Sequence, residues 1–267
     1  MADIDDPELA CVVAASMDAD PELLPVLPSL LSDLEDLGAC AADVVAILRD
    51  AELPPGARGL DLGCGKGAAA LAVAETFGTS MLGIDAIPAF VEHARARAHA
   101  RQLAQRCVFE VGDVRGPVSR ATDFDLAMLL ALGDVLGDDP STTVLALRRW
   151  VRPGGYMLID DAFVADGVDL DDEDLVGCHD HATTVAALQA HGDVIVSERI
   201  IDDPDKKGFY TEMTARIAER CRVLAPQFPD LSEAIREYAE RQQHEVALLE
   251  GPVVGALWLL RRGPSPS

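Results

Sequence analysis

GLDLGCGKG, at Gly59–Gly67, is the stretch that decides the fold. Apolar residues precede its glycines, and helix formers follow over Ala68–Thr76. This pattern predicts a short buried strand, a tight glycine turn and the first turn of a helix. Glycine reaches backbone angles closed to other residues and lets a ligand approach without a Cβ in the way, and the helix start offers free N–H groups. The stretch therefore indicates a binding turn for a nucleotide-like ligand.

Asp61 narrows the class of ligand. It lies two residues before Gly63, and the glycines at Gly63, Gly65 and Gly67 follow a Gly-x-Gly-x-Gly spacing. Gly63, Gly65 and Ala68 also satisfy the dinucleotide spacing loosely, so the glycines alone leave both ligand classes open. A carboxylate at this place repels a pyrophosphate and attracts an ammonium group.

The pattern Asp-x-Gly-x-Gly-x-Gly resembles the first motif of the class I S-adenosylmethionine (SAM) dependent methyltransferases. In that family the acidic residue lies near the amino-acid end of SAM, and the glycines pass under it. The resemblance continues, in order and spacing, through LGID, EVGDV, FDLAMLLAL and WVRPGGYMLIDD, and it covers about residues 57–163. It implies SAM as the cofactor and S-adenosylhomocysteine (SAH) as the product.

Composition excludes several classes of partner. The chain has 267 residues, a net charge of −24 and 46 acidic against 22 basic residues. Phosphate contacts need a basic surface, so we expect no nucleic-acid substrate. No apolar stretch reaches the roughly 18 residues of a membrane span, and the acidic start lacks the basic region of a signal peptide. The six cysteines form no CxxC pair. We therefore expect a cytoplasmic protein with reduced thiols.

Strands and helices alternate along the rest of the chain. Further strands are predicted at Ser80–Asp85, Cys107–Val111, Phe124–Leu132, Tyr156–Ile159, Asp193–Ile201 and Val253–Leu260. Such alternation predicts an α/β fold, a doubly wound and mostly parallel sheet with helices on both faces. The resemblance implies seven strands, with the last one antiparallel beside the fifth.

Acidic residues stand at or beside successive strand ends, where parallel sheets bind ligands. The carboxylate of Asp85 can accept hydrogen bonds from two ribose hydroxyls, as in both SAM and NAD proteins. The resemblance further implies that Ala86 and Ile87 flank the adenine. It implies that Asp113 and the amide of Val114 bind the edge of the adenine. The backbone near Leu130 and Ala131, after the fourth strand, is implied to line the methionine arm. The implied cofactor-binding residues are Asp61, Gly63, Cys64, Gly65, Gly67, Asp85, Ala86, Ile87, Gly112, Asp113, Val114, Leu130 and Ala131.

The sequence gives fewer indications of the residues that would bind the methyl acceptor. A general base is needed only if the acceptor loses a proton at or before transfer. The candidate bases are Asp160, Asp161, His179 and His181. The candidate substrate contacts are Asp134, Phe163, Phe209 and Tyr210. Two histidines and a cysteine in the sequence CHDH could bind a metal, but no second ligand cluster is visible, so we expect no metal site.

The chain divides into four parts by composition and pattern. Residues 1–55 are predicted to form an N-terminal helical cap, in which Asp43 begins a helix as its N-cap. Residues 56–204 and 251–262 form the Rossmann-like core. Two amphipathic helices in 205–250 form an insertion that acts as a lid before the last strand, and 263–267 form a disordered tail.

These observations together predict a methyltransferase that acts on a small molecule and is a monomer or a homodimer. The acceptor atom, oxygen, nitrogen or sulfur, stays open. Two alternatives keep the fold: a protein that uses its cofactor for non-methyl chemistry, and a non-catalytic SAM-binding partner subunit. An NAD(P)-dependent oxidoreductase is a third alternative, which Asp61 and the glycine spacing disfavour.

Overall fold

The computed structural model describes residues 4, 6–116, 123–169, 173–175, 177–201 and 204–264. The described residues form a seven-stranded sheet in the order β3-β2-β1-β4-β5-β7-β6. Its strands are β1 Arg58–Leu62, β2 Ser80–Asp85, β3 Cys107–Val111, β4 Phe124–Leu129, β5 Val151–Val164, β6 Val194–Ile201 and β7 Val253–Arg261. Strands β1 to β5 pair in parallel, whereas β7 is antiparallel to both β5 and β6. The predicted fold class is confirmed.

Helices cover both faces of this sheet. Their bounds are α1 Pro7–Ala15, α2 Leu27–Leu30, α3 Ala41–Leu48, α4 Ala68–Phe77, α5 Pro88–Ala100, α6 Pro140–Leu147, α7 His181–Leu188, α8 Pro204–Leu224 and α9 Ser232–Glu250. Val44, Leu71 and Val91 bring α3, α4 and α5 into one apolar layer with the strands. Val144 and Leu188 bring α6 and α7 into the layer on the other face.

A third apolar cluster joins the N-terminal segment to the helices before β7. Leu27 and Leu30 of α2 pack with Ile217 of α8 and with Ile235 and Tyr238 of α9. All five side chains are buried. The N-terminal segment and the two long helices therefore share one core, which also includes Ile87 and Phe90, just beyond the carboxyl end of β2.

The predicted role of Asp43 as an N-cap is wrong. Helix α3 begins at Ala41 after Cys40, which makes no side-chain capping bond. The Asp43 carboxylate instead accepts a hydrogen bond from Nε of Arg199 on β6 at 2.8 Å. A buried carboxylate needs a charged partner, and this partner lies too far along the chain to be read from local sequence.

Two other expectations differ at element boundaries. Pro153–Gly155, predicted as a turn, lie within β5, where the register against β4 shifts between Phe124 and Leu126. Helix α1 was not predicted; Asp6 caps it by accepting from the amide of Glu8 at 2.9 Å. The apolar residues of α1 do not fall on one clear helical stripe, so the sequence pattern does not predict this helix. The last three residues of the predicted tail, 265–267, lie outside the described residues.

Candidate active site

The glycine turn joins β1 to α4 and is tied to the end of β2. The amides of Gly63 and Cys64 both donate to the carbonyl of Ile84, at 2.8 and 2.9 Å. Gly67 has a φ of +76°, and a Cβ there would lie 2.8 Å from the ring of Phe109. Only glycine satisfies both the left-handed angle and the close approach. The turn is therefore held against β2 and β3.

Asp61 supplies a buried carboxylate oxygen without a partner. The side chain is 2% exposed, and its Oδ2 has no hydrogen-bond partner among the described residues. Burial and the nearby Asp85 raise the pKa of Asp61 to about 7, although the amide of Ala70 donates to the carboxylate and opposes this. Because an orphaned buried oxygen is costly, this site favours a cationic donor. An ammonium group such as the one in SAM satisfies it.

Asp85 fixes the glycine turn and the start of the next loop. Its Oδ2 accepts from the amide of Gly65 at 2.8 Å, and its Oδ1 accepts from the amide of Ile87 at 2.9 Å. Burial raises the pKa of Asp85 to about 6, and the two amide donors limit the rise. Each carboxylate oxygen can accept a second hydrogen bond, so the predicted ribose contact is chemically compatible. The bond to Gly65 is a positioning role that the sequence did not reveal.

Asp113 has a partner that sequence reasoning missed. Arg115 donates to its carboxylate through Nε at 3.1 Å and Nη2 at 2.9 Å, and the Arg115 amide donates at 2.9 Å. These bonds hold the pKa of Asp113 below its usual range. Arg115 also lies 3.5 Å from Glu8 of α1. A ligand that used Asp113 would have to share it with Arg115, and the adenine role stays a prediction.

The chain after β4 borders the glycine turn. The side chain of Leu132 lies within 2.7 Å of the position that a Cβ on Gly63 would take. Ala131 has a φ of +51°, and its amide donates to the Asp160 carboxylate. A Cβ on Gly38 of the N-terminal segment would collide with Ala131. The predicted methionine-arm segment is therefore contacted both by the turn and by the N-terminal segment.

Lys66 and Cys64 occupy the variable positions of the glycine motif. Lys66 is buried, and its Nζ donates to the carbonyls of Leu31 and Leu34, each at 2.6 Å. Burial lowers the pKa of Lys66. Burial and two neighbouring carboxylates raise the pKa of the Cys64 thiol well above its usual value, so it is not a thiolate nucleophile. Lys66 thus anchors the N-terminal segment across the turn.

Asp160 and Asp161 project from opposite faces of β5, because side chains alternate along a strand. Asp160 lies on the face of Leu158, which packs with α3 and α4. Burial, the adjacent Asp161 and, to a smaller degree, Asp43 raise the pKa of Asp160 to about 7, and the Ala131 amide opposes the rise. A carboxyl with this pKa exchanges a proton near neutral pH.

Asp161 lies with the other group of candidates. Removal of water by neighbouring residues raises the pKa of Asp161, and Asp134 raises it further. The amide of Ala162 and the nearby His179 lower it. The side chain of Asp161 is exposed, so water screens these effects. The structure therefore brings Asp134, Asp161 and His179 together at an open edge, on the opposite side of the sheet from the α3 and α4 face that carries Asp160.

His181 and Phe163 belong to a packed aromatic group. The Nε2 of His181 lies 2.6 Å from Oε1 of Glu198, and Trp258 donates through Nε1 to the same oxygen at 2.6 Å. The ring of Phe163 stacks edge-on against His181 with a centroid distance of 4.7 Å. Phe163 is itself 8% exposed. These contacts hold the start of α7 on the sheet, on the face opposite Asp160.

Phe209 and Tyr210 lie near the start of α8. Their rings meet edge-on, 5.4 Å apart. The pKa of Tyr210 is raised, first by burial and then by Asp160 and Asp43. Tyr210 also packs against the apolar layer of α3 and α4. Of the four predicted substrate contacts, Tyr210 therefore lies on the same face of the sheet as Asp160.

Two classes of site find no support in the described ranges. Across the described residues, no group of three or more His, Cys, Asp or Glu side chains could hold a metal ion. No helix in the described part of the chain is long and apolar enough to cross a bilayer.

Comparison with known sequences gives partial matches to methyltransferases. Residues 60–155 match the methyltransferase domain family. A protein-L-isoaspartate O-methyltransferase from Methylorubrum populi is 36% identical over 117 residues, 43% of this chain and 50% of that protein. The chloroplastic tocopherol O-methyltransferase of Arabidopsis thaliana is 31% identical over 100 residues, 38% of this chain and 28% of that protein. The chain thus matches half or less of the length of each relative.

A solved structure extends the likeness to the whole fold. A SAM-dependent methyltransferase from Geobacter sulfurreducens, in complex with SAH, superposes with a TM-score of 0.76. It is 21% identical, and the match covers 88% of this chain and 97% of that one. The methyltransferase domain indicates SAM as the cofactor, which agrees with the orphaned Asp61 oxygen. The chain thus has the class I SAM-dependent methyltransferase fold and carries a methyltransferase domain over residues 60–155.

Proposed function

We propose that this protein transfers the methyl group of SAM to a small-molecule nucleophile. When bound, SAM supplies an activated methyl group on a sulfonium. Asp61 would hold the ammonium of the cofactor, the glycine turn would contact its amino-acid end, and Asp85 would accept hydrogen bonds from the ribose hydroxyls. In the transfer, a bond forms between the methyl carbon and the acceptor atom while the bond from methyl to sulfur breaks, and SAH leaves.

The single observation that carries this proposal is the unpartnered Oδ2 of Asp61 at the glycine turn. The nearby Asp85 accepts two backbone amides of its own, and as a second carboxylate it offers Asp61 no donor and raises its pKa. A pyrophosphate would add negative charge beside two carboxylates. A zwitterionic amino-acid group with its ammonium at Asp61 removes this cost, which favours SAM over a dinucleotide.

Asp160 and Tyr210 support an enclosed acceptor site. The shared core of α2, α8 and α9 includes Ile87 and Phe90, just beyond the carboxyl end of β2, and Tyr210 of α8 lies within electrostatic range of Asp160. Closure of this kind aligns two reactants and keeps water out. The two relatives above are named for a protein and for a tocopherol, so they do not choose between acceptor classes; the enclosure favours a small molecule.

Asp160 is the group that we assign to take the acceptor proton. Its carboxylate accepts the amide of Ala131 and has a pKa of about 7. A base of this strength suits an acceptor that loses its proton as the methyl arrives. The deprotonated Asp160 receives that proton and later returns it to solvent. Asp161 projects to the opposite face and has no such position.

The test uses SAM labelled in the methyl group and panels of amines, alcohols, phenols and thiols. We expect label in the small-molecule fraction together with SAH. Asp160→Asn is expected to lower the rate at least 10-fold, since it removes the proton acceptor, and exposed Glu75→Gln serves as the matched control. Label that appears only in added proteins would overturn the small-molecule assignment. Loss of rate in Asp161→Asn with full rate in Asp160→Asn would overturn the choice of base.

A further inference from the structure

Residues 31–40, which we call the strap, join α2 to α3 without forming a helix or a strand. Leu31 and Leu34 pack into the third apolar cluster. The Nζ of Lys66, in the glycine turn, donates to the carbonyls of both residues at 2.6 Å. Lys66 is buried, so water does not compete for these bonds. One amine therefore latches the first half of the strap to the glycine turn.

Arg97 on α5 holds the middle of the strap. Its Nη1 donates to the carbonyl of Glu35 at 3.2 Å and to the carbonyl of Lys66 at 3.1 Å. Its Nη2 lies 2.7 Å from the Glu35 carboxylate. One guanidinium thus binds the strap and the glycine turn together. Because the Glu35 side chain is 69% exposed, we expect this ion pair to contribute less than the buried Lys66 bonds.

The second half of the strap crosses from the glycine turn to the loop after β4. Leu37 lies 3.2 Å from the position that a Cβ on Gly65 would take, and a Cβ on Gly38 would collide with the side chain of Ala131. Adjacent Cα atoms are about 3.8 Å apart, so Leu37 and Gly38 together bridge the two loops. Glycine at position 38 lets the backbone come this close to Ala131.

The two bridged loops border the place where a parallel sheet of this order binds its ligand. Strands β1 and β4 are neighbours, and Leu62 and Leu129, their last residues, pair with each other. The chain runs from β1 through β2 to β3 on one side and then continues with β4 on the other side. The crevice at such a switch point is the usual ligand site. Asp61, with its unpartnered Oδ2, lies one residue before the end of β1. The strap therefore crosses the crevice in which the cofactor would lie.

We propose that the strap gates the exchange of the cofactor: SAM enters and SAH leaves when residues 31–40 lift off the glycine turn, and Lys66 sets how often they lift. This inference rests on the proposed function, because it concerns access to the same site. The bonds of Lys66 and Arg97 join protein to protein, so they oppose opening in the free and in the loaded protein alike. A gate of this kind changes the rates of association and dissociation by the same factor and leaves Kd nearly constant.

The test measures the association and dissociation rate constants of SAH by surface plasmon resonance on the immobilised protein. Lys66→Met keeps the length of the side chain and removes two bonds from a charged donor, so both rate constants are expected to rise at least 10-fold, with Kd within 3-fold of wild type. Arg97→Met is expected to raise both about 3-fold, because its carboxylate partner is largely exposed. Arg101→Met, at an exposed arginine just beyond α5, is the matched control and should leave both unchanged.

The outcomes separate the gate from the proposed function. Unchanged rate constants in a folded Lys66→Met protein would overturn the gate and leave the proposed function standing. Faster dissociation with unchanged association would also overturn it, because the strap would then hold bound SAH without controlling its entry. A wild-type protein that does not bind SAH would overturn the proposed function itself. If Lys66→Met does not fold, Arg97→Met decides alone, and unchanged rate constants in that variant contradict the inference.

Discussion

The Nζ of Lys66, within the glycine turn, donates to the backbone carbonyl of Leu31 at 2.6 Å. A second bond of the same length reaches Leu34. The side chain of Lys66 is 4% exposed, so these bonds form away from water. The next segment places Leu37 within 3.2 Å of the position of a Cβ on Gly65. Lys66, a side chain of the glycine motif, therefore holds the N-terminal segment that packs on this motif.

Replacement of this amine is expected to release the N-terminal segment. Lys66→Met keeps the length of the side chain and leaves the carbonyls of Leu31 and Leu34 buried without donors. We expect a loss of about 2 kcal/mol in the free energy of unfolding, measured by urea denaturation, and faster proteolysis within residues 20–40. Exposed Arg101→Met is the control. Unchanged stability and proteolysis would show that the lysine does not anchor the segment.

SAM affinity is expected to depend on pH through Asp61. Below its pKa of about 7 the carboxyl is neutral and loses its attraction for an ammonium group. Affinity should therefore rise between pH 6 and pH 8 by up to about 10-fold. In Asp61→Asn the rise between pH 7 and pH 8 should disappear, and only a smaller rise near pH 6 from Asp85 should remain. An Asp61→Asn protein that keeps the slope would assign the pH dependence to another group.

The same carboxyl should act in the opposite direction on the stability of the ligand-free protein. Its pKa is raised from 3.8 to about 7 in the folded state, so folding favours the protonated form. The stabilising contribution is complete below pH 3.8 and is lost as the pH rises through 7. Asp61→Asn should therefore be more stable than wild type at pH 8, by an amount of the order of a few kcal/mol, and should differ little at pH 4. Equal stability of the two proteins at pH 8 would contradict this.

His181 is expected to matter for stability and not for the cofactor. His181→Ala removes a partner of Glu198 and the edge contact with Phe163. We expect a loss of about 1–2 kcal/mol in thermal or urea unfolding, with the Kd for SAH within 2-fold of wild type. His244→Ala, at an exposed histidine near Asp174, is the matched control. A large change in SAH affinity would return His181 to the list of functional candidates.

The ion pair between Arg148 and Asp193 is buried on both sides. Asp193 also accepts the amide of Gly263 at 2.9 Å, which ties the end of the chain to the sheet. Asp193→Ala leaves a buried arginine unpaired and should cost about 3–5 kcal/mol in unfolding. The double variant Arg148→Met and Asp193→Leu should recover at least half of that loss. No recovery would mean that the pair itself, and not the orphaned charge, determines the cost.

The sheet could be predicted because its signals are local. Most of the strands are short apolar runs, and Asp61, Asp85 and the glycines lie at fixed distances from such runs. The positions of Asp160 and Asp161 on opposite faces also follow from alternation along β5, once the strand is known to extend to Val164.

The partners of the site residues could not be predicted, because they lie far apart in the chain. Lys66 meets Leu31 across 35 residues, and Asp43 meets Arg199 across 156. The spacing of residues along the sequence does not indicate which distant residues form such pairs. The Asp113–Arg115 pair spans only two residues, and a carboxylate followed by an arginine at that spacing was a visible signal for it.

Calorimetric titration of SAH into wild type and Asp61→Asn at pH 8 tests the central claim most directly. We expect micromolar binding by wild type and at least 10-fold weaker binding by the variant, because the ammonium of SAH loses its carboxylate partner. Glu75→Gln should bind as wild type does, and NADH should bind to none of the three proteins. Equal SAH affinity in wild type and Asp61→Asn, or binding of NADH alone, would contradict the assignment of this turn to SAM.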